Sequence, residues 1–223
     1  MKPNAQRVHS ILISLAAVLV LAACGNSEKM STEKASDVLA DYYKTNKDLC
    51  TWLGEWPVQV PTRELSSAIT SILTDSLGAR MLALESVGLV KKSQRVESAN
   101  GTLKSAVSVT NFDLTSDGQQ FYQQHDRVVL TLSLERKELS RKEICFATRT
   151  LKNVSSVVEK TLDGKPSQAI VTYSIDVQPR GAWVTNKVVA QAFPEFSADL
   201  KAAGKELHRT LLWNDGKWVV VGT

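Results

Sequence analysis

The chain has 223 residues, with 27 Lys and Arg against 23 Asp and Glu for a formal charge of +4, and 43% of it is hydrophobic. That apolar share can bury a core and excludes an intrinsically disordered chain. The charge is too small and too evenly mixed to argue for a nucleic-acid partner.

In chain order, Lys2 and Arg7 come first, ahead of an apolar run over 11–23 that is broken only by Ser14. At thirteen residues this run falls short of the roughly 20 that a membrane span needs. Basic residues, a short apolar core and small residues at its end make a secretory signal peptide. The run closes on Leu21-Ala22-Ala23-Cys24 with Gly25 behind it, which resembles the lipobox of bacterial lipoproteins. The resemblance implies cleavage before Cys24 and acylation of its sulfur. It also implies attachment to a lipid membrane by more than one acyl chain, as stable anchoring requires. Gly at position 25, rather than Asp, favours the periplasmic face of the outer membrane. Removing 1–23 takes Lys2 and Arg7 from the 27 basic residues, leaving 25 against 23 acidic ones, so the mature charge is +2.

Lipidation accounts for one of three cysteines and leaves Cys50 and Cys145, 95 positions apart. In an oxidising envelope a disulfide between them is the expectation. It would close a loop worth about 4–5 kcal/mol in the chain-entropy account. Two separately buried thiols are the alternative.

Residues 24–32 read as a lipidated tether. Ser31-Thr32-Glu33-Lys34 matches the Ser-x-x-Lys spacing of penicillin-binding enzymes, but its companion motifs are missing. The stretch reads instead as a helix start, with Ser31 or Thr32 as N-cap. Ala35, Val38, Leu39 and Tyr42 then share one helical face. Trp52 and Trp56 lie in a connection that ends at Pro61; they are expected in the core, with a partner surface as the alternative. A second helix carries Leu65, Ile69, Ile72 and Leu73. A third carries Leu77, Met81 and Leu84 and stops at Gly88, where a strand begins.

The run Met81-Leu82-Ala83-Leu84-Glu85-Ser86-Val87-Gly88-Leu89-Val90 resembles the end of a winged-helix recognition helix. Phe112-Asp113-Leu114-Thr115-Ser116-Asp117-Gly118 resembles the far side of the wing, and Asn100-Gly101 is a hairpin turn between them. The resemblance implies a winged-helix-like module over 33–126. It departs from DNA-reading members, because a reading helix needs basic or amide side chains towards the groove and Arg80 is the only base between Asp75 and Gly88. The module is therefore expected to fold and to bind protein, with no nucleic acid as partner.

From 127 the chain reads as a β-rich module. Val128, Leu130, Leu132 and Leu134 alternate with neighbours in a half-buried strand. The stretch 136–143 mixes both charge signs and reads as a solvated loop or hairpin end. Val171, Tyr173, Ile175 and Val177 alternate again. A helical insertion follows over 186–203, and a final hairpin turns at Asp215-Gly216. The fold class is α+β, with a winged-helix-like N-terminal module and a small antiparallel-sheet C-terminal module over 127–223.

Chemistry is sparse. His125 and His208 lie outside any metal-ligand spacing, and no nucleophile elbow, phosphate loop or dinucleotide fingerprint occurs. No catalytic residue, cofactor or metal is expected. The chain reads as a membrane-anchored lipoprotein that binds an envelope protein or assists assembly rather than as an enzyme. An immunity protein against a toxin delivered to the periplasm, or a cell-wall or lipid hydrolase, are the alternatives.

Overall fold

The computed structural model describes residues 29–69, 75–99, 106–130, 136–163 and 165–221. The lipobox Leu21, Ala22, Ala23 and Cys24, the turn at Asn100-Gly101, and Leu132 and Leu134 lie outside them. Mixed helices and antiparallel sheets make the fold α+β.

Helix α1 (Thr32–Thr45) starts where Ser31 Oγ accepts from Lys34 N–H at 3.1 Å, the N-cap that the sequence suggests. Its buried face is Ala35, Leu39 and Tyr43. The chain then enters strand β1 (Asp48–Thr51), crosses Gly54 and a cis Trp56–Pro57 bond, and forms β2 (Val58–Pro61). Helices α2 (Thr62–Ile69) and α3 (Leu77–Ser86) follow. Ser76 caps α3 by accepting from Ala79 N–H, and Gly88 leaves the helix at φ +78, a conformation cheap for glycine. Strands β3 (Val90–Ala99) and β4 (Ala106–Leu114) complete a small antiparallel sheet of order β2-β4-β3. The one-turn helix α4 (Ser116–Gln119) is capped by Thr115. A Cβ on Gly118 would fall against the Leu89 carbonyl, so only glycine fits there.

The second sheet has six strands: β1, β5 (Tyr122–Leu130), β6 (Arg136–Leu162), β7 (Lys165–Pro179), β8 (Leu207–Asn214) and β9 (Lys217–Val220). β6 is 27 residues long. On one side its first half pairs with β5 and its second half with β7. On the other side β1 pairs across its middle, with Thr51 and Tyr122 both opposite Ile144. The β6–β7 ribbon shifts register at three places, after Leu151, Val154 and Lys160. The stretch 136–143 therefore belongs to a strand, where its mixed charges had suggested a loop.

Between β7 and β8 the chain inserts a short 3-10 turn (Ala182–Thr185) and helices α5 (Lys187–Ala192) and α6 (Pro194–Leu200). Asn186 caps α5, and Pro194 stands in the first turn of α6, where its missing N–H costs nothing.

Two clusters hold the molecule together. The first joins α2, α3 and the small sheet to Ile144, Phe146 and the inserted helices. At its centre the Phe196 ring stacks on Phe146 with centroids 3.8 Å apart and on Phe193 at 4.5 Å. Arg80 of α3 pairs with Glu195 at 3.0 Å and lies 4.9 Å over Phe193. In the second cluster α1 covers β6, β7, β8 and β9, with Leu39 and Tyr43 against Val171, Tyr173 and Leu211. So α1 and β1 lie with the larger sheet rather than on α2 and α3, and the inserted helices reach back to α3.

Cutting Phe196→Ala opens a cavity among three aromatic rings and should cost about 3–5 kcal/mol. It would be read as a lower urea midpoint at unchanged slope. The second cluster is testable by pH. Burial, chiefly, pushes the Tyr43 phenol far above its ordinary value, and the hydrogen bond to the Tyr173 hydroxyl at 2.9 Å adds to this, against opposing charge from Arg149 and Arg209. The folded chain thus keeps this proton after the unfolded chain has lost it. Stability from Tyr43 is fully present below about pH 10 and falls as pH rises above it. Urea unfolding between pH 8 and 11 should show that fall, and Tyr43→Phe should make it shallower.

Candidate functional site

The polar chemistry of the molecule gathers where β1, β5 and the first half of β6 meet. Antiparallel pairing without a register shift sets His125 opposite Arg141 and Tyr122 opposite Ile144. Residues directly opposite one another project to the same face. His125, Arg141, Glu143 and Cys145 therefore share one face of the ribbon, and Tyr122, Gln124, Ser140 and Lys142 the other.

On the first face β1 brings Cys50 opposite Cys145, and their sulfur atoms lie at disulfide-bonding distance. His125 Nε2 stands 3.3 Å from Cys50 Sγ and 3.1 Å from Cys145 Sγ. Cys145 is fully buried, while Cys50 and His125 are half-buried. Beside them Glu143, the buried carboxylate of the described residues, accepts from Arg141 Nε at 3.1 Å.

The second face opens into a groove of about 390 Å³. Trp56 and Tyr122 meet edge to face at 5.7 Å, and Lys142 Nζ sits 5.7 Å from the Tyr122 ring centroid. Burial, and then the Glu55 carboxylate, push the Tyr122 phenol upward, so it stays a neutral hydrogen-bonding group. Gln124 Nε2 donates to Ser140 Oγ at 2.8 Å and ties the two strands across the groove. Arg141 reaches the rim, its guanidinium 5.3 Å over the Trp52 ring. Trp52 is 47% exposed, which corrects the expectation of a core residue. It also borders a second hollow of about 380 Å³ with Leu53, Leu77 and Arg80. Trp56 is half-buried and packs on the first core cluster.

His208 stands apart on an exposed part of β8, with Thr172 Oγ1 at 3.2 Å and Glu206 at 3.6 Å. Reading the sequence missed the approach of His125 to the cysteines. Its three members are separated by 75 and 20 residues, so no local spacing betrays them.

Arg141 does two things at this corner: it meets a buried carboxylate and covers an exposed indole. Arg141→Ala should lower stability by about 1–2 kcal/mol. Lys142→Ala, on the solvent side, should change it by less than about 0.5 kcal/mol. Denaturant midpoints measure both.

No known protein family, curated protein or solved structure matches this chain.

Proposed function

We propose that the chain is a lipid-anchored envelope protein, held through acylated Cys24 at the periplasmic face of the outer membrane, that binds a partner protein in the groove between β5, β6 and the connection from β1 to β2. What carries the binding half of this reading is Trp52, a large indole 47% exposed beneath an arginine. Trp, Tyr and Arg are the residues that dominate protein interfaces when they sit together. Arg141 is held by Glu143, and Lys142 on the solvent side gives the groove a cation to set against an acidic segment.

A binder is favoured over an enzyme because the groove's serine hydroxyl, Ser140, is engaged by an amide of Gln124 and not by a base, and its Tyr122 phenol is held neutral. The finer reading of 33–126 as winged-helix-like belongs to the same proposal, for the part that runs from β2 to α4. It is supported by two helices placed between β2 and β3 and by the order β2-β4-β3. A protein partner, rather than nucleic acid, fits α3, where Arg80 is the only Lys or Arg and is turned onto Glu195 and Phe193.

Two measurements test the proposal. A clickable fatty acid should label the native chain and not Cys24→Ala; label on the variant overturns the anchor. A photo-crosslinking residue in place of Trp56 in living cells should give one discrete adduct with an envelope protein. Reversing Arg141 and Lys142 to Glu should reduce that adduct about tenfold, the equivalent of 1.4 kcal/mol. An adduct indifferent to the charge reversal overturns the groove.

A further inference from the structure

We infer that Cys50, His125 and Cys145, in their reduced state, form a three-ligand site for a soft divalent metal ion, zinc above all. The two sulfurs and the histidine nitrogen lie within 4.8 Å of one another. A tetrahedral zinc with bonds of about 2.3 Å to sulfur and 2.0–2.1 Å to nitrogen has ligand–ligand edges of about 3.5–3.8 Å. The sulfur–nitrogen separations of 3.3 and 3.1 Å are already within half an ångström of that. Only the sulfur–sulfur edge has to open, and reduction of the bond between the two sulfurs permits it.

The three ligands also come from three different strands of one sheet, β1, β5 and β6. Backbone pairing therefore holds the donors in place before any ion arrives, and little ordering entropy remains to oppose binding. Two thiolates and one imidazole are the donor set that selects zinc over magnesium or calcium. Three protein ligands leave a fourth position for water or for a side chain of a bound partner.

Disulfide and metal exclude each other, since a sulfur bonded to sulfur is not a thiolate. The conversion needs a dithiol reductant. Its thiolate attacks Cys50 Sγ, the less buried sulfur, the Sγ–Sγ bond breaks, and Cys145 leaves as a thiolate. The second reductant thiol then displaces Cys50, and the reductant departs as a disulfide, having supplied two electrons. Each cysteine takes up one proton. Zinc binding releases both protons, while His125 lends the Nε2 lone pair of its neutral ring.

The test uses the full chain in detergent, reduced with a phosphine that does not compete for metal, and cobalt(II) as the coloured stand-in for zinc. One equivalent should produce intense sulfur-to-cobalt charge-transfer absorption near the ultraviolet edge and visible bands of a tetrahedral ion. Zinc should bleach both by displacing cobalt, since thiolate ligands select it. The oxidised chain should show neither. His125→Ala should bind cobalt about 100-fold more weakly or worse, because losing even an outer-shell partner costs 10–100-fold. Reduced chain without charge-transfer absorption overturns the inference, and so does a His125→Ala variant that binds as the parent does. Far-UV circular dichroism of the reduced chain is the second measurement. Its loss on reduction would equally overturn the site, which exists only while the strand register persists.

Discussion

Everything else in this molecule leans on the pairing of β6. Three strands hydrogen-bond to it directly, β5 and β7 end to end along one side and β1 across the other. Ile144 is the crossing point, fully buried between Thr51 and Tyr122. A shorter strand could not do this, because successive partners on the same side need length. The first half of β6 builds the polar corner and the second half carries the face that α1 covers. A slip of one residue would turn Ile144 and Phe146 to the wrong side and separate both clusters at once.

Local signals in the sequence were good where the chemistry is local. Ser31 is a cap because a short oxygen side chain can reach the free N–H groups of a first turn, and it does so here. Alternation at Val171, Tyr173 and Ile175 marks a strand because that face of β7 is buried. The same logic failed at 136–143. Its charges of both signs belong to a strand paired with β5, where Arg141 and Glu143 satisfy one another. Tertiary pairing overrode a composition that suits solvent.

The candidate site was less legible. Cys50 and Cys145 could be matched because a third cysteine is set aside by the lipobox resemblance, but nothing near His125 in the chain announces sulfur neighbours. Its position follows from a hairpin register and from β1 joining a sheet formed mostly by residues more than 70 positions later. Trp52 was misread for a similar reason. An indole is usually buried, and this one gains its cover instead from the guanidinium of Arg141, a contact set by strand geometry.

The register shifts along the β6–β7 ribbon have a consequence for how copies of the molecule meet. Beyond Thr148, where β1 ends, the outer margin of β6 meets no further strand among the described residues. A straight margin of that kind invites a neighbouring molecule to add itself and so seeds fibres. Three kinks within a dozen residues, together with Lys152 and Lys160 along the rim, spoil the template. A protein packed side by side with its own copies would thereby stay separate from them while a groove elsewhere remains available.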